Sequence, residues 1–417
     1  MEVQARCHGP RARGCAPLQR DNARENVLHV RDNFDMDMCD RLRALLVICA
    51  VGLAAVAPAL AQEAPRSPTP KESRLPARQV DVARGLEHPW GLAFMPDGRM
   101  LVTERPGRLR LVSREGELSA PLDGVPKVRA CDQGGLLDVA LSPSFAQDRL
   151  VYLSFAEPGD GGASTAVARG RLGERGLDDT QVVWRQQPKV GGGKHWGSRL
   201  VFRRDGTLFV TLGDRFLQLE HAQNLGDTLG KIVRINADGS VPKDNPFVGR
   251  EGARPEIWSY GHRNIQAVTL DAQDRLWTVE HGARGGDELN QPQAGKNYGW
   301  PVITYGRDYS GAQIGIGTHK AGMEQPVYYW DPVIAPSGAT FYTGDKFRDW
   351  RGDLLVGSLQ PGRLVKLRLA DGRVQHEERY VSAPGERVRN VRQGPDGFVY
   401  VLTDNPRGRI IRLEPGG

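Results

Sequence analysis

Cysteine is scarce in this chain of 417 residues: there are five, and Cys7, Cys15, Cys39 and Cys49 all lie near the N-terminus. Beyond them only Cys131 remains, so no internal disulfide can staple the rest, and a disulfide-framework fold is excluded there. Long apolar runs are missing too. The strongest, Ala44 to Leu60, is diluted by Ala, Gly and Pro and falls short of the roughly 20 residues of a membrane span. Charge of one sign is not in large excess: the formal net charge is +6, with 25% of residues charged and 39% hydrophobic. No basic run or basic helix accompanies that surplus, so nothing calls for a nucleic-acid partner. Convincing amphipathic helices are almost absent, which excludes helical bundles and alternating α/β folds.

What is present begins with an export signal. Arg41 and Arg43 precede the apolar run and Ala59-Leu60-Ala61 follows it. A basic start, a short apolar stretch and an A-x-A end define a signal peptide over residues 36–61, cut before Gln62. A periplasmic or secreted protein without a stable membrane anchor is expected. Residues 1–35 read as an upstream extension from a mis-assigned start, with Met36 or Met38 as the true one. Cleavage would leave 48 Lys and Arg against 43 Asp and Glu, a mild excess. Residues 62–78 are rich in Pro, Ser, Lys and Glu and are expected to be a disordered linker. Residues 79–417 show no further linker, although this is more chain than one core usually holds unless the architecture is radial.

An internal repeat supplies that architecture. His88 to Asp97-Gly98 leads into Met100 to Glu104. The pattern returns at Leu200 to Leu212, at Val268 to Glu280 and at Val391 to Thr403, with weaker copies at Leu136 to Phe155 and Ala339 to Ser358. Most copies are two alternating apolar segments around a turn that carries Asp, usually as Asp-Gly, which is a hairpin signature. A third strand often follows, as at Leu109 to Val112 and Ile410 to Leu413. Six copies without helices predict an all-β, six-bladed propeller of four-stranded antiparallel sheets. A β-sandwich would not explain a repeat of this length. Long polar loops such as Arg215 to Gly230 and His281 to Asp308 interrupt the frame, and such loops usually carry function.

The candidate residues cluster at the starts of the repeats. His195, in Gly193-Lys194-His195-Trp196-Gly197, would sit at the mouth of an innermost strand, where it can act as a general base or simply be packed. Asp214 ends the next strand, so a hairpin would bring it to His195 to orient the ring; the alternative is a turn residue. Gln133, before Gly134-Gly135, suits either close contact with a flat ligand or a flexible turn. Arg263, beside Asn264, offers a rigid fork for a carboxylate. Arg387 and Arg389 alternate on one strand and therefore point to one side. Three arginines leading to one channel suggest a polyanionic ligand. Glu280 to Asn290 combines glycines, which leave backbone carbonyls exposed, with Asp287 and Glu288, and Asp308 follows. Such oxygen donors suit Ca²⁺, although the spacing is not that of an EF-hand and a solvated acidic turn is the other reading.

Taken together, Asp132 to Leu137, His195 to Asp214, Gly261 to Trp300 and Arg387 to Asp404 resemble the soluble pyrroloquinoline quinone (PQQ) dependent glucose and aldose sugar dehydrogenases, over nearly all of Gln79 to Pro415. The resemblance implies a six-bladed propeller holding PQQ in the channel mouth, with aldose oxidised to lactone. It implies His195 as general base supported by Asp214, and Gln133, Arg263, Asn264, Arg387 and Arg389 as PQQ contacts. Backbone carbonyls of Gly282 and Ala283 would bind a Ca²⁺ beside PQQ, and a second Ca²⁺ would map to Glu288, Tyr298 and Asp308. Electrons would pass onward to a quinone or a cytochrome. The chain departs from glucose-oxidising members at Gln360 and Val333, where those have lysine and threonine, and at His281, which replaces a glutamine. These departures resemble the broader aldose branch. A non-catalytic ligand-binding propeller and a metal-dependent propeller lactonase are the competing readings, and the presence of His195 with the arginine trio disfavours both.

Overall fold

The computed structural model describes residues 70–381 and 386–416. The expectations for residues 1–35 and for the signal peptide lie outside them. Six sheets follow one another along the chain. Their innermost strands are Pro89–Phe94, Leu136–Leu141, Gly197–Phe202, Ile265–Leu270, Pro336–Phe341 and Val388–Gln393. Each touches the next, and the last touches the first, so the sheets form a closed ring of six blades. Among the described residues the only α-helix is Phe145–Asp148, with two short 3₁₀ turns.

The apolar alternation explains why the blades stack. Every inner strand has the same burial pattern: four buried residues followed by two half-buried ones. The buried side chains meet those of the neighbouring blade, so separate cores lie at the blade junctions. Leu101, Leu136 and Leu153 fill the junction of blades 1 and 2, and Leu92, Leu402 and Ile410 that of blades 6 and 1. Each such side chain contributes roughly 1.5–3 kcal/mol. A ring thus divides what one core could not hold.

Four sheets match the expected four strands; two differ. Blade 1 keeps three, Pro89–Phe94, Met100–Glu104 and Arg108–Val112, because the chain then runs into loop with only an isolated bridge from Val112 to Leu118. Blade 5 gains a fifth: Lys71–Arg74 pairs in parallel with Glu378 to Val381. This corrects the linker expectation for residues 62–78 in its described part. Ala77–Leu86 is also a strand, pairing antiparallel with Gly408–Pro415 to complete blade 6. Composition misled here because edge strands facing solvent carry the polar residues of a linker.

In all six blades the register between the inner strand and its neighbour shifts at the inner strand's first residues, as between Gly197 and Leu200 or Val388 and Asn390. Such bulges re-aim side chains. Here two of them span Asp138 and Arg199, which meet inside the ring. There Arg199, fully buried, bridges the ring: Nε donates to Gln266 O at 2.8 Å, Nη1 meets Asp138 Oδ1 at 3.3 Å and Trp90 O at 3.5 Å, and Nη2 donates to Arg389 O at 2.9 Å and Ser337 O at 3.3 Å. Counting its own strand, all six blades meet at this one side chain. Gly91 and Gly338 let neighbouring inner strands approach: a Cβ on the first would come within 2.8 Å of Asp138 Oδ1, and on the second within 2.1 Å of Asn390 Oδ1.

Candidate functional site

His195 lies just before the inner strand of blade 3, and Asp214 just after the next strand, Leu208–Leu212. The hairpin brings them together as expected: His195 Nδ1 is 2.7 Å from Asp214 Oδ1, and both are buried. Close backbone approach permits this. A Cβ on Gly213 would lie 2.2 Å from His195 O, so Gly213→Ala is expected to cost about 1–3 kcal/mol by overpacking, measurable by denaturant unfolding. Asp214 accepts two further hydrogen bonds, from Trp300 Nε1 and from the Phe216 amide, each 2.8 Å long. Burial pushes its carboxyl upward, but the His195 hydrogen bond and the His195 and Arg263 charges outweigh it, and its pKa lies below the ordinary value. For His195, burial dominates over the Asp214 hydrogen bond, with Arg263 adding repulsion, and its pKa falls below the ordinary 6.5. The ring is therefore neutral at pH 7, with Nδ1 committed to Asp214. Among the described residues no hydrogen-bond partner meets Nε2.

Gln133 and Asn264 brace this pair. Gln133 Oε1 accepts the His195 amide at 2.9 Å, and Asn264 Oδ1 accepts the Gly197 amide at 3.1 Å. Arg263 is buried; Nη2 donates to Tyr309 Oη at 3.2 Å, Nη1 donates to Gly282 O, and Nε has no partner.

The other two expected arginines converge on Asp404 from blade 6, with the Arg387 Nε at 3.5 Å and the Arg389 guanidinium in direct contact. His88 Nδ1 lies 3.0 Å from the same carboxylate. Burial pushes Asp404 up, but Arg389, the His88 hydrogen bond and Arg105 outweigh it, so it stays ionised well below the usual carboxylate range. Arg389 Nη1 also meets Gln266 Oε1 at 3.1 Å, while its Nε is buried without a partner. Burial pulls the pKa of Arg105 down; Asp404 offsets this and Arg389 and Arg387 repel it. Three guanidiniums thus share one carboxylate, and this cationic surplus suits an anionic ligand.

The proposed metal ligands fare differently. Glu288, Tyr298 and Gly282 line one cleft with Glu280, His281 and Trp300. Asp308 is not in it: it is exposed, and its carboxylate accepts from Ser310 at 2.7 Å. Ala283 is buried beside the cleft, in a bridge to Gly285. The Gly282 carbonyl is already engaged by Arg263. Burial raises the Glu288 carboxyl well above its ordinary value, and Glu280 adds repulsion. Among the described residues no three His, Cys, Asp or Glu side chains form a metal-binding group. Of the departures, His281 donates Nε2–H to Pro336 O at 2.6 Å, Gln360 is exposed and Val333 is half-buried.

Sequence reasoning missed Trp300, Asp404 and Arg105 as members of the site. Trp300 stood in a quoted motif, but its partner Asp214 is 86 residues away. Asp404 was recoverable, because it follows the sixth copy as Asp214 follows the third.

The profile of the glucose/sorbosone dehydrogenases matches residues 86–412. The chain belongs to that family. It is 48% identical over 337 residues to the aldose sugar dehydrogenase YliI of Escherichia coli K12, covering 79% of this chain and 91% of the relative. The apo-form crystal structure of the soluble aldose sugar dehydrogenase from Escherichia coli superposes with a TM-score of 0.80 at 46% identity, covering 82% of this chain and all of the other. The PQQ-bound aldose sugar dehydrogenase from Streptomyces coelicolor gives 0.67 at 28% identity, covering 81% and 98%. Membership of the glucose/sorbosone dehydrogenases agrees with the resemblance drawn from the motifs. Among the described residues no helix is long and apolar enough to cross a membrane.

Proposed function

We propose that this family member oxidises aldoses to lactones with PQQ held in the channel mouth. The observation that carries the reading is the buried His195–Asp214 pair, with Nε2 open, together with Arg263 and Arg389, whose Nε atoms have no partner. PQQ bears three carboxylates, which fits those donors; Arg263, Arg387 and Arg389 would hold them, with Asn264 and Gln133 completing the contact. When bound, PQQ supplies the ortho-quinone that accepts the hydride.

The chain's own groups supply the proton chemistry. His195 Nε2 takes the proton of the anomeric hydroxyl. Nδ1–H stays on Asp214, whose negative charge stabilises the imidazolium formed. Trp300 and the Phe216 amide hold Asp214 in place, so the ring does not turn away. The relatives named as aldose sugar dehydrogenases support an aldose substrate. A quinone or cytochrome acceptor and a periplasmic location belong to the same reading.

Calcium fits less directly, because Arg263 occupies the Gly282 carbonyl and Asp308 stands apart. The test is dye-linked aldose oxidation by purified apo-protein with PQQ and Ca²⁺ added singly and together, and after chelation. Activity needing PQQ is expected. Loss on chelation, restored by Ca²⁺, would establish a metal requirement. No oxidation of any aldose, with no absorbance change on adding PQQ, would overturn the reading in favour of a binding propeller.

A further inference from the structure

Just after Asp214 the backbone does something costly. Arg215 and Phe216 both adopt left-handed conformations, with φ of 58° and 68°. Neither is glycine, and for a bulky aromatic residue this region is a genuine outlier. Such strain persists where the surrounding structure holds it, typically at ligand sites.

The result is a placed ring. Phe216 meets the His195 ring edge to face, with centroids 5.0 Å apart and planes at 88°. Lys194 Nζ lies 5.1 Å from the Phe216 centroid, and the Tyr309 ring is 6.5 Å away, tilted by 37°. This side of His195 opens to solvent: Leu217 is 67% exposed and Tyr309 60%. The arginines on Asp404 offer charge, whereas this wall offers apolar ring faces.

We infer that Phe216, flanked by Tyr309, is the substrate-stacking wall: it seats the C–H face of a pyranose ring and so presents the anomeric hydroxyl to His195. The inference rests on the aldose dehydrogenase reading and names a specificity-determining residue within it. An aromatic face is the usual complement to the apolar face of a sugar ring, and it reads hydroxyl configuration less sharply than directed hydrogen bonds do. The wall therefore favours pyranoses as a class over one particular sugar.

The strain makes the test clean. Phe216→Gly removes the ring and places at φ 68° the residue that adopts it freely. The variant is expected to melt no lower than the wild type while KM for aldoses rises about tenfold or more, the range of a lost aromatic contact. Titration with PQQ, read by absorbance, should be unchanged, and Phe216→Tyr should restore KM. An unchanged KM in an active Phe216→Gly enzyme overturns the inference. Weakened PQQ titration with unchanged KM also overturns it, by assigning the ring to the cofactor. A wild type that oxidises no aldose overturns the functional reading itself, and the inference with it.

Discussion

Replacing His195 by alanine is expected to lower kcat by about 10²–10⁴-fold, the usual contribution of a positioned general base. PQQ titration should change little, because the braces on this segment come from its backbone: Gln133 holds the His195 amide, and the Trp196 indole donates to Gly193 O at 2.7 Å. Asp214→Asn is expected to fall in the same range. Its amide can accept from Nδ1–H but carries no charge to stabilise the imidazolium. The pH profile provides an independent check. Burial lowers the His195 pKa below 6.5, so the neutral base dominates at pH 7 and above. Hence kcat/KM should rise with pH through an acid limb centred below 6.5 and then level off. A limb centred above 6.5 would contradict the burial argument, because a dominant Asp214 charge would have raised the pKa.

The second large effect concerns stability. Arg199→Leu is expected to destabilise the propeller by on the order of 3 kcal/mol, because it leaves the buried Asp138 carboxylate with only the more distant, partly exposed Arg392, at 3.7 Å. Burial already pushes the Arg199 pKa down to about 9, partly offset by Asp138, so the side chain is still charged at pH 7. Arg199→Lys keeps the charge but cannot reach acceptors on five other blades at once, and should fall between the two. Urea unfolding with a common slope would measure both. If Arg199→Leu unfolds within about 0.5 kcal/mol of the wild type, the range of an ordinary surface substitution, the hub is packing alone.

Much of this was legible in the sequence, for a physical reason. Each blade is a local hairpin unit, so Asp-Gly turns and alternation reported it without long-range information. His195 with Asp214 was legible because a hairpin brings its ends together; Arg387 and Arg389 do not share a strand as expected, since Arg387 lies just before Val388–Gln393, yet both reach Asp404. What escaped was non-local. Trp300 reaches Asp214 across 86 residues, and Arg199 finds Trp90 O across 109 and Arg389 O across 190. Neither has a spacing to read. Phe216 escaped because left-handed backbone is read from glycine and asparagine, and a phenylalanine gives no such sign. Asp308 was assigned by its proximity to the glycine-rich loop, yet it spends its carboxylate on its own turn at Ser310. The strand at Ala77–Leu86 was hidden because its partner, Gly408–Pro415, is the last strand of the chain.

That last pairing has a consequence for how the molecule is made. The ring is clasped by its two ends: Ala77 pairs with Pro415, and Arg78 meets Glu414 across 336 positions. A chain emerging N-terminus first can assemble blades 1 to 5 in turn, but the strand at Ala77–Leu86 must wait for the final residues before its edge is covered. Closure is then the latest and longest-range event in folding, and it carries the greatest loop-closure cost. Removing the strand Gly408–Pro415 would free Ala77–Leu86 as well, and with it the seal between blades 6 and 1. New termini opened at a blade connection, with Pro415 joined to Ala77, would convert that late clasp into an early local hairpin.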